Sequence, residues 1–350
     1  MALIHIEQWP QPVEAKRLRI LEAALDAGVP FPHGCGSGEC GGCKCELMEG
    51  EVSSDRYSPD ALSAEEAARG LILACRSRPV GDVRVRWLAE AVPLPMLRVD
   101  ARVAAVDRLA HDVVRLRVGL PAGVAFPFRA GQYAKLRFGK LPARSFSMAN
   151  APGAPHLDFH IRVHPEGKVS SQVASRVSPG DPVELRGPFG DAHWGGACNA
   201  QLLLVAGGTG LAPIASILDA AIRDGQRPEQ IHVYHGVRAE RDLYAGKWLE
   251  GQSSSIGFRF VPVYSEERRG SARFGMVHTA VGDDFTQLGA AVIHVAGPPP
   301  MVDAVVQLAR QRGAAPERIK ADRFTPAEPE KRSLWERVTG WGSTGLGGLE

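Results

Sequence analysis

The sequence predicts a multidomain chain of α+β and α/β class: a small α+β module, an antiparallel β-barrel, and a doubly wound parallel sheet. Three observations predict it. Four of the six cysteines crowd into CGSGECGGCKC (Cys35–Cys45). From about residue 97, short alternating apolar and polar runs recur at even spacing, as in a small barrel. From Gln201, apolar strand-like runs alternate with helical patterns, beginning with QLLLVAGGTGLAPIASILDAAI (Gln201–Ile222), which is the signature of a parallel sheet. At 350 residues and 44% hydrophobic, the chain is long enough for two or three cores.

Lys and Arg number 41 against 39 Asp and Glu, so charge does not point to nucleic acid or an anionic membrane. No apolar run approaches the ~18 residues of a membrane span. The start, MALIHIEQWPQ, lacks the basic-then-apolar layout of a signal peptide. A cytoplasmic protein, probing no lipid phase, is the expectation. In that compartment clustered cysteines mean metal or redox work rather than disulfides.

In the first module Cys35, Cys40 and Cys43 stand as C-x4-C-x2-C, and Cys75 follows in LILACRSRP. This is the spacing of a plant-type [2Fe–2S] site. Two irons need four terminal thiolates, three from a wrapping loop and one from a distant segment. Gly34, Gly36, Gly38, Gly41 and Gly42 permit positive φ and close approach of backbone N–H groups to sulfide. Zinc is the alternative, but it usually shows two CxxC pairs or added histidines, and Cys40–Cys43 is the lone CxxC here. Cys45 reads as a small buried hydrophobe, Cys198 as incidental, and His33 as a loop-packing side chain. RLRILEAALDAGV (Arg17–Val29) has helical spacing, and Ser63-x-x-Glu66 is a capping box opening a short helix before Cys75. Residues 1–92 resemble a plant-type ferredoxin domain, which implies a β-grasp fold.

A Pro-punctuated linker (Ala89–Val99) leads into the barrel module, residues 97–196. LRVDARVAAVDRLAHDVVRLRVGL predicts two strands and a turn; FRAGQYAKLRF and LDFHIRVH predict more. Within it ARSFSMAN carries Arg144-Ser145-Phe146-Ser147. With Gly131-Gln132-Tyr133 upstream and GPFG (Gly187–Gly190) downstream, this resembles the R-x-Y/F-S motif of the ferredoxin–NADP reductase superfamily. The resemblance implies a flavin domain. Arg144 would pair with a flavin phosphate through its planar fork, Phe146 would lie against the isoalloxazine, and Ser147 would hydrogen-bond the N5 region. Phe146 stands where that family usually has Tyr. EGKVSS (Glu166–Ser171) resembles the second flavin motif, implying that Gly167, Lys168, Val169 and Ser170 hold the pyrophosphate.

The third module, residues 200–326, opens with a strand, a glycine turn and a helix, the anatomy of a phosphate-binding βα unit. Gly207, Gly208, Thr209 and Gly210 form the turn, and Pro213 suits the first helical turn. HVYHGVRAERDLY, FRFVPVYSEE and VIHVAGPPPMVDAVVQLARQRG follow, predicting a doubly wound NAD domain. The last resembles the reductase superfamily's CGPPPM turn with Ala296 in place of the cysteine. The resemblance implies nicotinamide-nucleotide contacts at Gly208, Thr209, Gly210, Arg238, Ser265, Glu266, Gly297, Pro298 and Met301. In ADRFTP, Asp322 and Phe324 would lie near the flavin ring. NADP-dependent relatives place a Ser-Arg pair where this chain has Ser265-Glu266. A carboxylate repels a 2′-phosphate and accepts from ribose hydroxyls, so NADH is expected to be preferred at least tenfold in kcat/KM, about 1.4 kcal/mol. Arg268 and Arg269 are the nearby cations that oppose this.

The order of modules resembles reductase components of bacterial ring-hydroxylating dioxygenases and multicomponent monooxygenases, the naphthalene dioxygenase reductase type most of all. The resemblance spans residues 1–326 and implies NADH, FAD and one [2Fe–2S] cluster, with an oxygenase component or its ferredoxin as electron acceptor and a monomer in isolation. Residues alone do not decide FAD against FMN. No acid–base catalyst is expected, because the cofactors carry the chemistry. Two other readings use the same modules: a free-standing reductase for a cytochrome P450, a flavodoxin or a sugar dehydratase, and a non-enzymatic redox sensor. The tail, residues 327–350, lies outside the resemblance. RSLWERVTGW (Arg332–Trp341) has apolar Leu334, Trp335, Val338 and Trp341 at short-helix spacing.

Overall fold

The computed structural model describes residues 2–33, 36, 38, 41–59, 61–88, 94–196, 201–223 and 227–324. Gly34, Cys35, Cys40, Cys198 and the tail 327–350 lie outside the described residues. The chain forms two compact units, 2–97 with 187–191, and 98–186 with 192–324.

The first unit contains β1 (Leu3–Ile6), β2 (Val13–Glu14), α1 (Ile20–Asp26), β3 (Lys44–Glu49), β4 (Val52–Ser54), α2 (Ala64–Ala68), β5 (Leu71–Leu73), β6 (Ser77–Pro79) and β7 (Val83–Trp87). Five strands form one mixed sheet in the order β2-β1-β7-β3-β5, and β4 and β6 form a separate ribbon. The parallel pair β1–β7 (Ile4 opposite Val83) is what an α+β grasp requires, since the chain must leave the sheet and return. α1 is shorter than the helical spacing of residues 17–29 suggests. It buries Ile20, Leu21, Ala23, Ala24 and Leu25 in a core with Ile4, Ile6, Phe31, Leu73, Val85 and Trp87. Asp55 fixes its entry by accepting from the Arg19 guanidinium at 2.6 and 2.8 Å. The capping box at α2 forms as the sequence suggests: Ser63 Oγ accepts from Glu66 N at 3.2 Å, and Glu66 Oε2 accepts from Ser63 N at 2.9 Å. Such a cap stabilises by about 0.5–2 kcal/mol, and here it anchors the segment leading into β5 and Cys75.

The second unit begins with β8 (Leu97–Ala110), β9 (Val113–Gly119), β10 (Tyr133–Arg137), β11 (Arg144–Ser147), β12 (His156–Arg162), α3 (Ser170–Ser175) and β13 (Pro182–Phe189). The six strands run in the order β11-β10-β13-β8-β9-β12. A bridge between Met148 and Phe159 joins the two ends, with Ala149 N donating to Asp158 O at 2.7 Å. The two ends of the sheet thus meet at this bridge, closing the barrel there. Val114, Leu116, Val118, Leu136, Phe159 and Ile161 are buried by period-2 alternation.

The parallel sheet follows: β14 (Gln201–Gly207), α4 (Leu211–Arg223), β15 (Gln230–Val237), α5 (Gly246–Ile256), β16 (Arg259–Tyr264), β17 (Arg273–Phe274), α6 (Val277–Asp284), β18 (Ala291–Gly297), α7 (Pro299–Gln311) and β19 (Ile319–Arg323). Its order is β17-β16-β15-β14-β18-β19, with parallel pairing throughout. One face packs on Leu211, Ile214, Leu218 and Leu249, the other on Val277, Val281, Val302 and Val305. This explains why β14 is apolar without alternation. The chain moves outward one way from β14 and then restarts on its other side at β18. Ligands of open α/β sheets bind at such a reversal, beyond the carboxyl ends of the strands. The barrel and sheet are joined by packing of Val113, Ala130 and Trp194 against the α4 face, and by Ser216 Oγ donating to Asn150 O at 2.7 Å. No helix is long and apolar enough to cross a membrane among the described residues.

Candidate functional site

In the first unit, Cys43 and Cys75 are 3% and 2% exposed, and the Cys75 N–H donates to Cys43 Sγ at 3.4 Å. Two cysteines 32 positions apart are therefore brought together beneath the glycine loop; Cys35 and Cys40 lie outside the described residues. The loop backbone fits a cluster. Gly36, Gly38 and Gly41 have φ of +70°, +84° and +74°, a region that side chains disfavour. A Cβ at Gly38 would meet Arg76 at 2.8 Å, and one at Gly41 the Ala61 carbonyl at 2.9 Å. Cys45 is fully buried on β3 opposite Trp87. Burial, then the nearby Cys75, push its thiol above the usual range, the direction expected of a thiol packed in an apolar core.

In the barrel, β11 carries the whole Arg144–Ser147 run and pairs with β10, Tyr133 opposite Ser147 and Leu136 opposite Arg144. Ser147 is buried at 8%, Phe146 and Arg144 half-buried, and Ser145 exposed. Arg144 donates to the Ala143 carbonyl at 2.9 Å. Gly167, Lys168, Val169 and Ser170 form the turn entering α3. Ser170 Oγ accepts from His164 N at 3.1 Å, and a Cβ at Gly167 would crowd that hydroxyl and the His164 carbonyl at 2.6 and 3.1 Å, so the turn is tight. A guanidinium and a backbone turn are each groups that can hold phosphate oxygens.

At the reversal point of the parallel sheet, β14 and β18 run side by side to Ala206 opposite Ala296. The turn Gly208–Gly210 leaves β14 there. A Cβ at Gly210 would lie 2.0 Å from the Ala296 carbonyl, so only glycine lets the two strand ends meet. Ala296 itself is buried at 2%. On its far side Ala296 faces Asp322, and Phe324 N donates to the Gly297 carbonyl at 2.9 Å. Asp322 and Phe324 thus arrive at the same strand end. Met301 lies over Gly207, where a Cβ would meet its sulfur at 2.5 Å; Pro298 precedes α7. Two strands away, Ser265 N donates to Val237 O and Glu266 N to Arg238 O, both at 2.9 Å. Arg238 also donates to Asp242 at 2.8 Å.

Two residues with no motif to announce them join this site. His235, fully buried on β15, hydrogen-bonds through Nε2 to the Gly208 carbonyl at 3.0 Å. A carbonyl only accepts, so Nε2 carries the proton. Burial outweighs that bond and holds the ring's pKa down at about 4, so it stays neutral. Arg162, from barrel strand β12, sets its guanidinium against Gly208, about where a Cβ would reach it at 3.1 Å, and pairs with Asp112 at 3.3 Å. Tyr244 and His160 pack beside His235, with Tyr244 OH and His160 Nδ1 3.3 Å apart.

Residues 4–80 match the 2Fe-2S iron-sulfur cluster binding domain family, residues 100–194 the oxidoreductase FAD-binding domain family, and residues 204–307 the oxidoreductase NAD-binding domain family. The chain is 38% identical to the reductase subunit of an aromatic O-demethylase from Amycolatopsis sp., over 88% of this chain and 94% of that protein. It is 33% identical to the ferredoxin--NAD(P)(+) reductase component of the naphthalene 1,2-dioxygenase system of Pseudomonas putida, over 88% and 93%. Among solved structures, an Amycolatopsis cytochrome P450 reductase superposes with a TM-score of 0.77 at 35% identity, covering 94% of this chain and all of the other.

Proposed function

Since the chain belongs to the family of iron–sulfur flavoprotein reductase components that serve oxygenases, we propose that it takes electrons from NADH and delivers them one at a time to an oxygenase component or its ferredoxin. FAD, one [2Fe–2S] cluster and NADH are its cofactors. When bound, the flavin accepts electrons in pairs and releases them singly, and the cluster carries one at a time. The residues hold, orient and insulate. Cys43 and Cys75, with Cys35 and Cys40, supply the cluster thiolates. Arg144 and the Gly167–Ser170 turn bind the flavin phosphates, and Phe146 and Ser147 flank its ring. Gly208–Gly210 receive the nicotinamide nucleotide's pyrophosphate, and Gly297, Pro298 and Met301 shape the adjoining wall. Asp322 and Phe324 close the strand end.

The observation that carries the reading is Arg162 against Gly208. It links the flavin barrel to the nucleotide turn inside one unit, as hydride transfer between the two cofactors demands. Working as a monomer in the cytoplasm belongs to the same proposal. The acceptor is an oxygenase; a cytochrome P450 is the second reading, favoured by the likeness to the Amycolatopsis reductase across 94% of this chain and all of the other. The test is anaerobic titration of the purified holoprotein with NADH, followed by mixing with candidate acceptors. NADH should bleach the flavin and then the cluster, and an oxygenase component or a P450 should reoxidise both. Reduction by dithionite but not by NADH would sink the proposal.

A further inference from the structure

We infer that Glu240, seconded by Glu267, sets the preference for NADH by holding Arg269 away from the adenosine 2′ position. The inference rests on the reading of Ser265–Glu266 as the pair that faces the adenosine ribose. In an open parallel sheet that position lies beyond the carboxyl end of β16, and Ser265 and Glu266 continue its ladder onto β15 there. Three residues on, Arg269 is a guanidinium suited by geometry to grip a phosphate. It does not stand loose. Its Nη1 pairs with Glu240, and its Nε lies 3.8 Å from Glu267 Oε1.

The holding carboxylates are themselves held. Glu267 Oε2 accepts from the Glu240 backbone N–H at 2.8 Å, which points Glu267's other oxygen at Arg269. Tyr264 OH donates to Glu240 Oε2 at 3.3 Å, and the Arg269 guanidinium carbon lies 5.9 Å from the centre of the Tyr264 ring. The other cation of the loop, Arg268, is stacked 4.1 Å over the Phe274 ring. Both arginines that would otherwise offset Glu266 are thus committed within the protein. The Arg269 charge is offset by two carboxylates, and Arg238, the third cation near Glu266, pairs with Asp242 at 2.8 Å and Asp112 at 3.8 Å, so a 2′-phosphate arriving here faces Glu266 with these cations already engaged elsewhere. A ribose hydroxyl carries no charge and meets no such barrier.

The experiment compares the holoenzyme with Glu240→Gln/Glu267→Gln, and with that double variant carrying Arg269→Ala. Each is assayed with NADH and NADPH, and inhibition by 2′,5′-ADP is measured alongside. Exposed ion pairs are individually weak, so the double variant should raise the NADPH-to-NADH ratio of kcat/KM by about fivefold. The rise should come from a lower KM for NADPH rather than a higher kcat, with tighter inhibition by 2′,5′-ADP. Arg269→Ala should erase both gains. An unchanged ratio, or a gain that survives Arg269→Ala, overturns the inference. If the double variant loses its flavin spectrum, Glu240→Gln alone is read by the same criteria. Glu266→Arg separates the two layers of argument. If it raises NADPH use while the double variant does not, the clamp falls and the ribose reading stands; if neither shifts the ratio, both fall.

Discussion

His235 shows how much one proton placement can do. With its ring neutral and Nε2–H aimed at the Gly208 carbonyl, it pins the turn proposed to receive the pyrophosphate. His235→Phe removes that donor while keeping a ring of similar size. Leaving the buried carbonyl unsatisfied costs ~1–3 kcal/mol, so KM for NADH should rise about tenfold with flavin and cluster absorption intact; His235→Gln, which keeps a donor, should recover part of it. An unchanged KM in both variants would mean that the turn holds itself. A second comparison concerns the thiols. Cys75→Ser should bleach or weaken the cluster's visible absorption while flavin reduction by NADH continues, and Cys45→Ala should spare the cluster. The reverse pattern would show the ligands misassigned. The cysteine spacing and the glycines between them were legible in the sequence because ligand geometry imposes a local pattern. His235 and Arg162 were not. Each acts on Gly208 from another strand, and no spacing along the chain records a contact made through space.

At the scale of elements, the α2 capping box, the two-strand reading of residues 97–119 and the strand–turn–helix at Gln201 were all readable, because caps, period-2 alternation and apolar runs are local physics. The end of α1 was less so; apolar spacing continues to Val29, but the helix stops at Asp26, with Ala27 N–H bonding back to Ala23 O and Gly28 in the left-handed region. Strand β18 presents a sharper question at its carboxyl end. Ala296, at the place where the turn motif it resembles carries cysteine, has Ala206 on β14 and Asp322 on β19 as its cross-strand partners. If the missing thiol limits alignment of the nicotinamide, Ala296→Cys should speed flavin reduction by NADH in stopped-flow traces. A slower or equal rate would show that the close contact between Gly210 and the Ala296 carbonyl has fixed a different working geometry.

For the whole molecule, three histidines tie stability to pH, His235 and His294 fully enclosed and His160 partly so. Burial is the leading cause in each, lowering His160 and His235 to about 4 and His294 to about 3. In the unfolded chain each returns toward about 6.5. Between those values the unfolded state binds more protons than the native one, so stability is present above pH ~6.5 and drains as pH falls toward 4, by up to about 1.4 kcal/mol per pH unit for each ring. The thermal midpoint of the holoprotein should therefore fall steeply between pH 7 and 5, and His160→Gln should flatten the slope. A midpoint that is level over that range would contradict the burial argument. The adjacency of β14 and β18 carries a consequence for how the protein is made. The two strands touch in the finished sheet, yet Gly207 leaves the ribosome long before Ala291. At ~5–20 residues per second, the glycine turn waits several seconds for the strand that forms the other wall of its crevice. Coenzyme therefore cannot template the early stages of assembly, and a nascent or truncated chain ending before Gly297 should have no affinity for it at all rather than a weakened one. Nucleotide rewards only the completed protein.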